Sequence, residues 1–365
     1  MRGLRRLVDA TPDRIEPRLM LARALFDAGQ FQEIDALFPG TLDDMEPRAA
    51  FETGRAAAQS RDLARAVAAF RRAASADVPK SHSELAAALL RARDGDSAVA
   101  AAREALARTP GDSQALRVLA TVLFGRGDAR QAYDLAAALW TNGARNAQLL
   151  WTWTCAAGGL GRVDEFARLT APETLFVRTQ LDMGEDVNRA LEDEIRAKDA
   201  LARPASYRPT RADALRRDDF ETAEGPAARR FHDLVRREVS RYCDERRHMA
   251  DHPVITGRPE PAALESWALV MAGSGYEGWH IHPAAWLSGV YYVDVPRGDP
   301  AAHAGAIGFG ALPASPPLKG CAFQEWRIAP EPGTLVLFPA YFAHRTWPTE
   351  SPNPRISIAF NAIAA

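Results

Sequence analysis

The chain has 365 residues, more than one ordinary domain needs and enough for two. Apolar residues make up 47 % and charged residues 25 %, a globular balance that argues against disorder over most of the chain. The formal net charge is −2 and there is no long basic run, so no global field draws the protein to nucleic acid or to an acidic membrane surface.

The three cysteines, Cys155, Cys243 and Cys321, are far apart, odd in number and never spaced C-x-x-C. That pattern opposes a disulfide framework and a zinc-thiolate site, and it fits a reducing cytoplasm. The start, MRGLRRLVDATPD, is basic but has no apolar segment behind it, unlike a secretory signal. No stretch approaches the roughly 18 apolar residues that span a bilayer. The expectation is a cytoplasmic protein without membrane or nucleic-acid partners.

The composition changes along the chain. Residues 1–170 are rich in Ala, Arg, Leu and Asp, which favours helices, whereas the C-terminal stretch is rich in Pro, Gly, aromatic and β-branched residues, which favours strands and turns. Five similar segments occur in the first half: FDAGQFQEIDALF, AQSRDLARAVAAF, RARDGDSAVAAA, FGRGDARQAYDLA and GGLGRVDEFARL. Aligning them puts Ile34, Val67, Val99, Tyr133 and Phe166 in register, at spacings of 33, 32, 34 and 33. Each segment reads as a helix, a polar or glycine turn and a second helix. One helical hairpin cannot bury its apolar stripe alone, but stacked hairpins can. Period and pattern resemble tetratricopeptide repeats over about residues 12–170, without the full aromatic consensus. Such an array is either a scaffold or dimerisation surface, or a groove for a peptide or partner protein.

Residues 171–260 connect the halves. Val187, Leu191 and Ile195 predict one amphipathic helix, and Phe231, Leu234, Val235, Val239 and Tyr242 a second, with Arg229, Arg230, Arg236 and Arg237 on its solvated side. Between them, ARPASYRPTRADALRRDD reads as a loop. Strands follow at 265–271, 288–295, 306–310, 323–328, 333–339 and 355–363, divided by Gly, Pro and Asn turns. A double-stranded jelly roll accommodates this count. The fold class expected is a multidomain chain: a helical-repeat solenoid over 1–170, then a double-stranded β-helix (jelly roll) with supporting helices over 171–365.

Chemistry concentrates near the C-terminal end. His280 and His282 form an H-x-H, His344 follows much later in the chain, and Arg355 comes soon after it at the head of RISIAFN. An oxygen-activating iron needs about three protein ligands on one face and open positions for its co-substrates. Two ligands at i and i+2 near a strand end point to one side, and a third must come from a neighbouring strand. Arg holds the far carboxylate of a keto-acid through paired hydrogen bonds, and Ser357 would face the same side. His82, His232, His248, His252 and His303 read as structural or surface histidines, and Trp279 and Trp286 as packing residues.

The segment H-I-H-P at 280–283, S-G-V-Y-Y at 288–292, P-G-T-L-V-L-F-P at 332–339, His344 and R-I-S-I-A-F-N at 355–361 resembles the 2-oxoglutarate–Fe(II) oxygenases of the prolyl-hydroxylase-like group. The resemblance spans roughly residues 175–365. It implies that His344 is a metal ligand, that Arg355 and Ser357 hold 2-oxoglutarate, and that a tyrosine on the strand after the first motif contacts it. Tyr291 and Tyr292 share that strand, and alternation alone does not say which faces inward. The family's motif is H-x-D, and here His282 stands at the acidic position. Either His280, His282 and His344 all bind the metal, or His282 supports the other two, with Glu277 and Asp294 as alternative carboxylates. The implied activity is a dioxygenase using Fe(II), 2-oxoglutarate and O₂, with ascorbate as a candidate reductant, acting on a peptide or protein brought by the repeats. The alternatives are a recruiting scaffold with a catalytically silent jelly roll, and an oxygenase of small molecules. A cupin-type enzyme that uses no keto-acid would leave Arg355 and Ser357 without a role.

Overall fold

The computed structural model describes residues 1–197, 201–204, 208–259, 262–296, 304–312 and 315–364. His303 lies outside these residues. The chain divides into two compact units, Met1–Asp128 and, in the second, Ala129–Pro204 with Arg208–Ala365.

The first unit is helical: α1 (Arg2–Ala10), α2 (Ile15–Asp27), α3 (Phe31–Leu37), α4 (Pro47–Gln59), α5 (Leu63–Ala74), α6 (Ser81–Arg91), α7 (Gly95–Arg108) and α8 (Ser113–Gly125). Helices α2 and α3, α4 and α5, and α6 and α7 pack as successive hairpins, as the repeat period requires. Small residues permit close approach. Ala50, Ala66, Ala69 and Ala73 are fully buried, and a Cβ on Gly54 would sit 2.8 Å from the Phe70 ring.

The turns explain the repeat signature. The residue two before the second helix of each hairpin is left-handed: Gly29, Arg61 and Arg93 here, with φ of 72°, 63° and 65°. Asp62 and Asp94 then cap α5 and α7 by accepting from the N–H groups of Arg65 and Ser97, both at 3.1 Å. Glycine fills the left-handed position without strain and arginine does not.

The second unit begins with α9 (Ala129–Thr141), α10 (Ala147–Gly159), α11 (Val163–Leu169) and α12 (Pro172–Leu175). Then come β1 (Val177–Gln180), α13 (Glu185–Ile195), β2 (Thr210–Arg211), β3 (Ala214–Arg217), α14 (Pro226–Glu245), α15 (Pro253–Thr256), β4 (Ala262–Met271), β5 (Tyr276–Glu277) and β6 (Leu287–Asp294). The chain ends with β7 (Ile307–Gly310), β8 (Trp326–Ile328), β9 (Thr334–Pro339), β10 (Ala343–Thr346) and β11 (Arg355–Ala364).

An antiparallel sheet of order β1-β9-β6-β11-β4-β3 forms the larger wall. A sheet of order β10-β7-β8 and the pair β2-β5 form the smaller wall. Between the walls Phe309 meets Phe338 with ring centroids 4.8 Å apart. Helix α14 covers the outer face of the larger sheet, where Phe231 packs on Tyr291 and Phe360. This is the two-walled jelly roll with supporting helices, and no described helix is long and apolar enough to cross a membrane.

Two sequence expectations are corrected. The stretch read as a loop at 202–219 contains β2 and β3, although 205–207 lie outside the described residues. β3 is Ala-Leu-Arg-Arg, with Ala214 and Arg216 buried, so its inward face has too little apolar character to read as a strand. Only Trp326–Ile328 of the strand expected at 323–328 pairs. Phe323 instead stacks on Trp151 at 5.1 Å and meets Phe166 at 5.0 Å, and the Lys319 N–H donates to the Gly158 carbonyl at 2.9 Å. The loop before β8 is thus fastened to α10 and α11.

His232 on α14 ties that helix to β4. Glu221 accepts from both the N–H and the hydroxyl of Ser266, so the Ser266 oxygen is left to accept from the His232 Nε2–H at 3.1 Å. Burial, reinforced by Arg236, lowers the His232 pKa from 6.5 to about 4.

Two outcomes are expected. Arg61→Gly and Arg93→Gly should each raise the stability of the helical unit by roughly 1 kcal/mol, read as a shift in its denaturant midpoint. No gain would mean that the left-handed turns carry no strain. The folded-state pKa of His232 lies below its unfolded value, so its contribution is present above pH 6.5 and is lost as the pH falls towards 4. That loss is roughly 3 kcal/mol at most. His232→Gln should flatten this part of the stability–pH curve, and an unchanged curve would assign the acid sensitivity elsewhere.

Candidate metal and co-substrate site

Backbone pairing places the three histidines. The His280 N–H donates to the His344 carbonyl at 3.0 Å, and the His344 N–H returns a bond to the His280 carbonyl at 2.9 Å. This isolated bridge joins the H-x-H segment to β10. Two residues on, the His282 N–H donates to the Ala340 carbonyl at 3.1 Å, and the carbonyl of Pro283 accepts from the Gln148 N–H of α10 at 3.1 Å. The segment is therefore held on both sides.

The tautomers follow. His280 Nδ1 lies 2.7 Å from the Gly278 carbonyl, and His344 Nδ1 lies 2.9 Å from the Phe342 carbonyl. A carbonyl only accepts, so both Nδ1 atoms carry the proton and both Nε2 lone pairs are left for a ligand. His282 Nε2 lies 3.2 Å from His344 Nε2. One candidate donor atom from each of His280, His282 and His344 falls within 4.8 Å of the others, a group able to hold a metal ion. Burial, then the closeness of the other imidazoles, holds His282 and His344 well below the ordinary histidine pKa, so both are neutral and ready to ligate at neutral pH. Glu277 is buried and accepts from the Thr210 hydroxyl at 3.2 Å, outside this group, and Asp294 is exposed at the end of β6.

Beside the histidines runs a narrow cavity lined by Tyr292, Thr346, Arg355, Ser357, His282 and His344. Arg355, at the head of β11, is 1 % exposed. Its guanidinium donates to the Gly305 carbonyl and lies 3.1 Å from the Met271 sulfur, while its Nε has no partner among the described residues. Among the described residues no carboxylate pairs with it. Ser357 follows on the same face and pairs in register with Tyr292 across a bulge. The Tyr292 hydroxyl is buried without a hydrogen bond, and burial pushes its pKa up to about 12, so it stays a donor. A buried cation and a buried hydroxyl without acceptors are expensive unless an anion supplies them. The residues present therefore fit a carboxylate.

The alternation left open by the sequence now resolves. Tyr292 faces the cavity, whereas Tyr291 points to the helices, packs on Phe231 and donates to the Asn188 side chain at 2.8 Å. The structure brings together His280, His282, His344, Arg355, Ser357 and Tyr292, and sets Tyr291 apart. Sequence reading missed Thr346, Trp267 and Arg216. Thr346 lies two residues after His344 and so on the same face of β10, which was the one available signal. Arg216 was hidden in the segment read as a loop.

Residues 265–361 match a family model described as "Putative 2OG-Fe(II) oxygenase". Among solved structures, a Pseudomonas putida prolyl-4-hydroxylase is similar at 16 % identity and a TM-score of 0.37, covering 53 % of this chain and 95 % of that one. The α-ketoglutarate-dependent epimerase SnoN from nogalamycin biosynthesis is similar at 15 % identity and a TM-score of 0.38, covering 55 % and 80 %. YrrB, a tetratricopeptide-repeat protein, is similar at 15 % identity and a TM-score of 0.38, covering 46 % and 91 %. No curated protein matches the chain. The family match spans β4 to β11 and takes in all three histidines, Arg355 and Ser357.

Proposed function

We propose that the chain is an Fe(II)- and 2-oxoglutarate-dependent dioxygenase that hydroxylates a peptidyl or protein substrate recruited by its helical repeats. The observation that carries the reading is the buried, anion-free pair of Arg355 and Tyr292 next to three imidazoles whose lone pairs converge. In this reading residues 171–365 form the oxygenase part and residues 1–170 the recruiting part. The free cysteines suit a reducing cytoplasm.

His280, His282 and His344 would hold the iron. Arg355, Ser357 and Tyr292 would hold the far carboxylate of 2-oxoglutarate. Bound iron and keto-acid supply the activation of O₂, with ascorbate as a reductant for iron oxidised off-cycle. The protein's own contribution is orientation and dryness. Leu269, Ile307 and Phe338 wall the cavity with apolar surface, which strengthens the Arg355–carboxylate contact by excluding water. His282 in place of an acid leaves the ligand set neutral and the site one charge more positive. That substitution favours, as the second reading, a partner-binding scaffold whose jelly roll binds metal without turnover. A small-molecule substrate is the other alternative.

The first test is anaerobic. Fe(II) followed by 2-oxoglutarate should give the visible charge-transfer band of a chelated keto-acid. His344→Ala should lose it, and Arg355→Ala should need on the order of a hundredfold more 2-oxoglutarate. A folded wild type that binds no metal would sink the oxygenase reading. A band without 2-oxoglutarate turnover towards any peptide would promote the scaffold.

The tyrosines give an independent check. Tyr292→Phe removes a hydroxyl that has no partner, so the metal-free protein should keep or slightly gain stability while 2-oxoglutarate affinity falls about tenfold. Tyr291→Phe removes a made hydrogen bond, so it should cost about 1 kcal/mol of stability and leave that affinity unchanged. The reverse pattern would show the assignment of faces to be wrong.

A further inference from the structure

The inner face of the larger sheet continues past the histidines. Arg355, Ser357, Ala359 and Asn361 alternate along it on β11, and Glu265, Trp267, Leu269 and Met271 on β4. Asn361 lies well along the strand from Arg355, about 20 Å away. At that end a cavity of about 360 Å³ opens beside His280 and His282. Arg355, Ser357 and Tyr292 do not line it, while Trp267, Glu277 and His282 border both this cavity and the narrow one described above.

Three donors on three neighbouring strands line this cavity. Arg216 of β3 is 6 % exposed, with its guanidinium 4.6 Å over the Trp267 ring. Its Nε donates to Asp218 at 2.6 Å, and its two terminal nitrogens have no partner among the described residues. Trp267 of β4 is 9 % exposed, and its indole N–H has no hydrogen bond. Asn361 of β11 is 7 % exposed, and its side-chain oxygen accepts from the Ser288 hydroxyl at 2.8 Å, which turns its amide N–H₂ into a further donor. The Trp267 N–H is a buried donor without an acceptor among the described residues, which is costly, and a ligand carrying two oxygens would engage it together with the Arg216 and Asn361 donors.

The carboxylates of the cavity fall into two groups. Asp218 is engaged by Arg216 and Arg208, Glu221 by Ser266, and the buried Glu277 by Thr210. Asp219 and Glu265 are exposed and form no ion pair among the described residues. A bare anion entering here would meet these two charges, whereas a molecule with a cationic end would be drawn in by them.

We propose that this cavity receives the substrate as a dipolar ion, with a carboxylate on Arg216, Trp267 and Asn361 and an ammonium or guanidinium group beside Asp219 and Glu265. The proposal rests on the oxygenase reading for its purpose and narrows the substrate class. The shared chemistry is that of a free amino acid or of a basic residue next to an acidic one in a peptide. Arg216 is then a specificity-determining residue that touches substrate and not iron.

The test uses the full chain loaded with Zn(II) and 2-oxoglutarate, titrated with ω-amino acids of four to eight carbons, the matching carboxylates and the matching alkylamines. Binding is read by calorimetry or ligand-observed NMR. One length of amino acid should bind about tenfold or more tightly than either single-charged partner. Arg216→Gln should erase the advantage over the alkylamine. Trp267→Phe, which removes the indole N–H donor and shrinks the ring under Arg216, should weaken binding severalfold. Asp219→Asn combined with Glu265→Gln should erase the advantage over the carboxylate. L-lysine and a blocked Asp-Lys dipeptide then separate the two sources, and failure of both would overturn the proposal. Equal binding of the carboxylates or the amines would also overturn it, as would Arg216→Gln behaving like the wild type. If the Fe(II) protein forms no keto-acid band while the amino acid still binds in the presence of Zn(II), the oxygenase reading fails and the dipolar site stands.

Discussion

The two hydrogen bonds between the backbones of His280 and His344 are the constraint on which the rest of the site depends. They join the H-x-H segment to β10, so histidines far apart in sequence face one another across a single bridge. The same bridge fixes the rings. Each of these histidines donates from Nδ1 to a carbonyl two residues before it, Gly278 in one case and Phe342 in the other. Backbone geometry thus decides the tautomer before any metal arrives. Alanine at either histidine leaves the bridge intact and removes only the donor, which makes such variants clean probes of the chemistry.

Electrostatics gives the second layer. His282 and His344 pack closely because burial and the neighbouring imidazoles keep protons off both. A buried Arg355 cannot escape its charge in that way, since its guanidinium stays protonated even after burial lowers its pKa. It accepts the cost with a carbonyl and a sulfur as its only partners among the described residues. An arginine so placed is poor as a structural element and well suited to an anion. Glu277, a buried carboxylate lining the same cavity, is held by Thr210 and does not pair with it directly.

Much of this was legible in the sequence. The repeats declared themselves through a turn that recurs once per hairpin, because a left-handed residue followed by a capping position constrains residue type. The apolar strands β6, β9 and β11 declared themselves because both of their faces are buried. The candidate site residues were legible because H-x-H, a distant His and R-x-S each follow strand alternation. What stayed hidden has a common cause. β3 offers Ala214 and Arg216 to the interior, Phe323 leaves the sheet to stack on Trp151, and Tyr291 and Tyr292 are chemically alike. In each case the deciding partner is distant in sequence, and no local pattern records it.

One strand links these layers. Along β11 every second side chain faces inward, from Arg355 through Ser357 and Ala359 to Asn361. The first two border the carboxylate cavity, Ala359 borders the same cavity without filling it, and Asn361 borders the second cavity beside His280 and His282. A rigid strand with period two therefore spaces an anion anchor and a second ligand cavity on either side of the histidines, without help from a loop. The bulge between Ile356 and Ser357 adjusts the first pair alone, because register is regular from Ser357 to Ala362 against β6. Alanine at 359 packs against the buried cluster of Ala214, Trp267, Leu269 and Met271, where a larger side chain would intrude on the first cavity.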